Sequence, residues 1–379
     1  MNIAVAPDKF KGTLTAAEAA DIIATAIRET FPRAYVTEFP QADGGEGTCE
    51  ALTRARGGEL HRVKVRGPLG DDVEATFGMA GQTAFMEMAS ASGLQLVPEV
   101  RRNPIVTSTY GFGQLIRAAI DAGATTIIAG IGGSATNDGG TGMAEALGAK
   151  FFDEDGRKLH KLAGGVLDHV RRIDCSALTK TLEGVTLRIA SDVTNPLLGK
   201  NGCAAVYAPQ KGAKTAIEID FLEKAMSNLY KVADPCNSEK YGLPGDGAAG
   251  GLGFGFRVFC HAEFESGARL VMRETGLLHA LEAGEVDVVI TGEGRTDSQT
   301  EAGKLCAELA KAAGICGVPC LLLSGGIGCP RESLLGNFDG VFVSGIGREN
   351  IQDIMTHARE DLHAAAVSIA SALAVGNRG

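Results

Sequence analysis

Short apolar runs that hand over to polar loops and then to helix-like stretches constrain this chain more than any other feature. They fall at 2–6, 35–39, 126–130, 185–190, 287–290, 320–323 and 340–343, and most end in loops rich in glycine and carboxylates. Strands alternating with helices build parallel sheets, and such sheets bind ligands at the C-terminal ends of their strands. The rhythm breaks once. Arg62–Val65, Val73–Phe77 and Thr83–Glu87 alternate with period two around Gly67-Pro68-Leu69-Gly70, the pattern of an antiparallel meander. A break after only two βα units marks a domain boundary near 60–65. The expected fold is therefore α/β with two domains. A doubly wound, Rossmann- or flavodoxin-like domain is formed by 1–62 and 286–379. An α/β domain of 63–285 is inserted into it, with the active site in the cleft between the two.

A length of 379 residues agrees with two cores rather than one. The net charge of −10, without a basic run to offset it, argues against nucleic-acid binding. No window approaches 18 uninterrupted apolar residues, so no membrane span is expected. The chain opens directly on a strand pattern without a leader, and its nine scattered cysteines lack CxxC spacing. Both features predict a cytoplasmic protein with reduced thiols.

The glycine-rich loop after the 126–130 run, Ile131-Gly132-Gly133-Ser134-Ala135-Thr136-Asn137-Asp138-Gly139-Gly140-Thr141-Gly142, suits an anion cradle. Backbone N–H groups can converge there because glycine holds no side chain in the way. Neither standard nucleotide device fits it. Gly130–Ala135 matches GxGxxA, which keeps a nicotinamide-dependent oxidoreductase acting on a small hydroxy acid as a rival reading. Asn137 to Gly140, however, delays the helix that should receive the pyrophosphate. The nearest approach to a P-loop, 298–305, lacks its first glycine and its Mg²⁺-binding hydroxyl.

Asp8, Asp43, Asp138, Asp192 and Asp297 follow predicted strands. Convergent carboxylates of this kind could hold Mg²⁺ and deprotonate a hydroxyl, while Lys9, Lys11, Lys211, Arg295 or Lys304 neutralise phosphates. The seven histidines show no metal spacing. In the last forty residues, Ile351, Ile354, Met355, Leu362, Ala366 and Ile369 recur at helical spacing and predict one core-packed helix over about 350–374.

Eight ordered motifs carry a resemblance: Ala6–Gly12, Ala42–Thr48, Gly67–Gly70, Ile131–Gly140, Asp192–Leu197, Pro209–Ala213, Gly247–Gly253 and Thr291–Arg295. Together they cover nearly the whole chain, which closely resembles the bacterial glycerate kinase type 1 family. The resemblance implies a two-domain α/β kinase that uses ATP and Mg²⁺ to phosphorylate D-glycerate. The 2-hydroxyl is the expected acceptor, giving 2-phosphoglycerate within glycerate, glyoxylate or sugar-acid catabolism, and a glycerate 3-kinase is the alternative. Lys9 stands where the family more often carries serine, which shifts the preferred basic role to Lys11. On physical grounds Asp192, Lys11 and Asp43 are the expected catalytic residues, with Asp192 and Asp297 on the metal. Gly132, Gly133, Ser134, Asn137, Asp138, Lys211, Gly250 and Gly251 are expected to hold the nucleotide. Asp8, Lys9, Glu46 and Arg295 are expected to hold glycerate. A homodimer is compatible with this reading.

Overall fold

The computed structural model describes residues 1–42, 44–45, 47–237, 239–297, 305–348 and 350–376. The expected site residues Asp43, Glu46 and Lys304 lie outside them. In chain order the strands are β1 (Asn2–Pro7), β2 (Tyr35–Glu38), β3 (Glu59–Arg66), β4 (Asp72–Ala80), β5 (Thr83–Glu87), β6 (Thr126–Gly130) and β7 (Lys150–Phe152). They continue with β8 (Lys158–Leu159), β9 (Arg172–Asp174), β10 (Thr186–Ala190), β11 (Glu263–Glu265), β12 (Val288–Glu293), β13 (Cys320–Ser324) and β14 (Gly340–Val343). The chain forms two compact units: Met1–Asp43, Arg54–Arg56 and Ser266–Gly379 make one, Gly44–Thr53 and Gly57–Glu265 the other.

The first unit holds a five-stranded, all-parallel sheet in the order β14-β13-β12-β1-β2. Renumbered within the unit this is 2-1-3-4-5, the flavodoxin-like order, whose switch point lies between β1 and β12. Both faces are covered, because β1 alternates its apolar residues. Ile3 and Val5 join Ile23, Ile27, Leu362 and Ile369 on one side, while Ala4 and Ala6 join Met272, Leu281, Leu309 and Leu322 on the other. Strands buried on both faces read as continuous apolar runs, which is why they were visible in the sequence. The helix Ala16–Thr30 begins at the expected capping box: Glu18 N–H donates to Thr15 Oγ1 at 3.2 Å and Thr15 N–H to Glu18 Oε2 at 2.9 Å.

The second unit carries a mixed six-stranded sheet, β11-β10-β6-β5-β4-β3, parallel from β5 to β11 and antiparallel through the β3-β4-β5 meander. A small antiparallel sheet, β8-β7-β9, lies in the same unit. One large core, including Phe77, Phe112, Phe151, Phe254 and Phe256, fills it.

Three expectations need correction. The second boundary falls at Ser266 rather than 286, because helices Gly267–Glu274 and Leu277–Glu282 bury Ala268, Met272, Leu277 and Leu281 in the first unit's core. Gly44–Thr53, expected within the first domain, belongs to the second unit. It is held there by Cys49 N–H donating to Glu87 Oε1 at 2.7 Å, and by Gly44, whose carbonyl lies where a Cβ on Gly130 would be. Finally, the C-terminal helix is two helices, Ile351–Thr356 and Ala358–Gly376. Leu362, Ala366 and Ile369 are buried as expected, but Ile351 is 66% exposed.

Candidate functional site

In the first unit the loops after β1 and β12 meet at the switch point. Asp8 N–H donates to the Gly292 carbonyl at 2.8 Å, and Gly294 lies so close to the Phe10–Lys11 backbone that an added Cβ would stand 3.0 Å from Lys11 N. Asp8, Lys9, Lys11, Arg295 and Asp297 thus come from neighbouring strand ends. Lys11 and Arg295 are exposed, whereas Asp8, Lys9 and Asp297 are half-buried. Thr296 Oγ1 donates to Glu293 Oε1 at 3.0 Å and fixes a carboxylate that the sequence reading did not select.

In the second unit four of the sequence motifs converge at the ends of β6 and β10. The 131–140 loop leaves β6 with Gly132 half-buried and Gly133 exposed, and everything from Ser134 to Gly140 is buried. Its walls are main-chain bonds. Leu94 N–H donates to the Gly133 carbonyl at 2.8 Å, Ala135 N–H to Ser92 at 3.0 Å, and Gly139 N–H to Gly250 at 3.1 Å. The 247–253 run closes over the loop through a left-handed stretch, Ala249 (φ 54°), Gly250 (φ 70°) and Gly251 (φ 86°), inside Ala248–Cys260. Gly250 is required for this approach, since any Cβ there would strike the Thr136 carbonyl. Ala249 is a strained non-glycine in the same region, a conformation that costs about 1–2 kcal/mol and persists only where its surroundings enforce it. The loop after β10 fastens the base of this run, with Gly245 and Gly247 N–H groups both donating to the Asn195 carbonyl and Tyr207 Oη donating to Asn195 Oδ1 at 2.7 Å.

Two opposite charges lie inside the glycine-rich loop. Lys211, 2% exposed, donates from Nζ to Ser134 Oγ at 2.5 Å and to the Thr136 carbonyl at 2.7 Å. Asp138, fully buried, accepts from Thr109 N–H and Oγ1 at 2.8 Å each and from the Gly140 and Gly142 N–H groups at 3.2 and 3.3 Å. Burial pushes the Asp138 carboxyl up while those donors pull it down. Burial also brings the Lys211 ammonium down to about 8, against the raising influence of Cys203 and Asp138. Both residues, expected at the nucleotide, brace the loop through these bonds. Between them Asn137 is 0% exposed, and neither its Oδ1 nor its Nδ2 has a hydrogen-bond partner; the same holds for Thr136 Oγ1.

Sequence reading missed two features of this unit. Thr109, the main donor to Asp138, carries no motif beyond a Thr-Ser-Thr cluster before a helix. Asp246, 3% exposed, receives both Nε and Nη2 of Arg257 at 2.8 Å, and Arg257 Nη1 reaches Asp234 at 2.8 Å. Their separation along the chain hides this trio.

Asp192 is exposed at the end of β10 in the second unit, and Asp297 follows β12 in the first. Among the described residues no group of three or more His, Cys, Asp or Glu is placed to hold a metal. Mg²⁺ does not require one, since it is commonly bound through one or two carboxylates, waters and phosphate oxygens. The hard oxygen donors of Asp192 and Asp297 fit that chemistry.

The sequence profile described as the glycerate kinase family matches residues 3–374. This chain belongs to the glycerate kinase family. It is 46% identical to a glycerate kinase of Halalkalibacterium halodurans over 88% of this chain and 87% of that protein. It is 41% identical to the glycerate 2-kinase of Escherichia coli K12 over 100% and 99%. A crystal structure from Salmonella typhimurium LT2, provisionally described as glycerate kinase 2, superposes with a TM-score of 0.86 at 40% identity, covering 100% of this chain and 99% of that one. Membership makes the chain an enzyme, a kinase, and the oxidoreductase reading of GxGxxA falls with it. Among the described residues no helix is long and apolar enough to cross a membrane.

Proposed function

We propose that this enzyme transfers the γ-phosphoryl group of ATP to the 2-hydroxyl of D-glycerate, giving 2-phosphoglycerate and ADP. The observation that carries the position is the full-length match to a relative named glycerate 2-kinase. The half-open edge of the glycine loop supports anion binding: Gly132, Gly133 and Ser134 would cradle phosphate, with Gly250 and Gly251 allowing close approach. Asp192, exposed at a strand end, is the preferred base for the hydroxyl proton. Lys11 and Arg295, with Asp8 and Lys9 beside them, present the first unit's charge to an anionic substrate or phosphate. Mg²⁺, held by Asp192 or Asp297 together with phosphate oxygens, would supply charge neutralisation during transfer. Phosphorus NMR of the product made from D-glycerate and Mg-ATP separates the 2-phosphate from the 3-phosphate. A 3-phosphate overturns the position, and no product at all overturns the activity.

A further inference from the structure

The second unit contains a polar side chain that its own fold leaves unsatisfied. Asn137 is fully buried with both amide atoms unpartnered, while the residues on either side of it in sequence are bound tightly, Thr136 through its carbonyl to Lys211 and Asp138 through its carboxylate to Thr109, Gly140 and Gly142. Folded proteins pair nearly all buried polar groups, so an amide left unpaired between two braces calls for a partner from outside the chain. We propose that Asn137 is the residue of this unit that recognises the hydroxy acid, and that Lys211 positions it.

The amide offers an acceptor and a donor in one plane. Its Oδ1 accepts from a substrate hydroxyl and its Nδ2 donates to the carboxylate, the two groups that sit on adjacent carbons of an α-hydroxy acid. The unpartnered Thr136 Oγ1 adds a further donor, and the buried positive charge of Lys211 favours an anion over a neutral base. The side of the loop nearest solvent is its edge at Gly132, half-buried, and Gly133, exposed. Lys211 acts through the loop: its ammonium fixes Ser134 and Thr136, and through them the direction of the Asn137 amide. The charged or titratable groups facing it are Asp138 from the loop and Cys203 from the helix Cys203–Tyr207, with Glu223 beyond Cys203 and the Arg102 backbone against Gly212. This assignment rests on the reading under Proposed function and refines it.

The test uses the full-length enzyme, once wild type has been shown to phosphorylate D-glycerate. A wild type without that activity overturns the proposed reaction rather than this assignment. Asn137→Leu removes the amide and leaves an apolar side chain of similar size. The expected result is a KM for D-glycerate raised about 10- to 100-fold, with the KM for ATP unchanged and a Tm equal to or above wild type, because an unpaired buried amide has been removed. Should the leucine variant not fold, Asn137→Ala is read the same way. An unchanged glycerate KM, or a rise confined to ATP, overturns the role of Asn137.

For Lys211, the glutamine variant can still donate to Ser134 and Thr136 but does not titrate, whereas the methionine variant can do neither. In wild type the glycerate KM rises as pH passes about 8, where the ammonium loses its proton. The folded-state value lies below the ordinary lysine value, so the unfolded chain binds more protons between about 8 and 10.5, and this group's contribution to stability increases across that window. Affinity falling while stability rises is the signature a purely structural lysine would not give. Lys211→Gln is expected to show at every pH the raised glycerate KM that wild type reaches only above about 8, with no further alkaline rise, and Lys211→Met to bind more weakly still at every pH. A glutamine variant with the wild-type alkaline profile overturns the positioning role.

Discussion

The two strand-end clusters of this enzyme are built in opposite ways. At the switch point of the first unit the charged side chains Lys11 and Arg295 are exposed, and the loops approach closely through their backbones at Gly294. In the second unit the loop residues from Ser134 to Gly140 are buried and cross-braced by Lys211 and Asp138, with Arg257 and Asp246 fastening the run that covers them. Exposed charge can meet a ligand with little rearrangement but adds little to folding. Buried charge must be fully partnered, so it rigidifies the backbone that carries it and makes that backbone sensitive to substitution. Among the charged side chains, direct contact with a ligand should therefore go with exposure and bracing with burial, whichever unit carries them.

The sharpest way to break that contrast is Asp192→Asn, an exposed residue in the braced unit. Turnover should fall about 100- to 10,000-fold with an unchanged Tm, and near-normal kcat would remove Asp192 from the base role. Next in size is Arg257→Met, which leaves the carboxylate of Asp246 buried without its counter-charge. Denaturant melts should show a loss of about 3 kcal/mol, and a loss under 1 kcal/mol would mean the trio does not brace the glycine run. In the first unit Lys11→Met should lower kcat/KM about 10-fold or more while leaving the melting curve alone. A lowered Tm there would place Lys11 among the structural charges instead. The smallest effect belongs to Ile351→Ser, expected to stay within about 0.5 kcal/mol because the side chain is already in water.

Much of the fold was legible because its signals are local. The runs at 2–6, 287–290 and 320–323 are apolar on both faces, so they announced buried parallel strands, and Thr15 with Glu18 announced the first helix. The Asp192–Leu197, Pro209–Ala213 and Gly247–Gly253 motifs were found as separate stretches, and each does reach the second unit's cluster. The boundary at 286 was misplaced because helices Gly267–Glu274 and Leu277–Glu282 carry apolar faces that could pack in either unit. Periodicity shows that a face will be buried and is silent on the partner. The same limit explains Ile351, which keeps helical spacing but faces solvent.

What the sequence determined by itself was the inventory: α/β architecture, loops of glycine and carboxylate at strand ends, and an ordered set of motifs sufficient for the family. What only the tertiary structure decided was the job of each polar residue. Lys211 and Asp138 stand in the sequence as charged residues of two separate motifs, and burial gives each a bracing role in the same loop, because a charge removed from water must be bonded by whatever surrounds it. Asn137 has an unpaired amide for the complementary reason. Its neighbours' bonds hold the backbone in place, and they leave the side chain with no group of its own chain to bond.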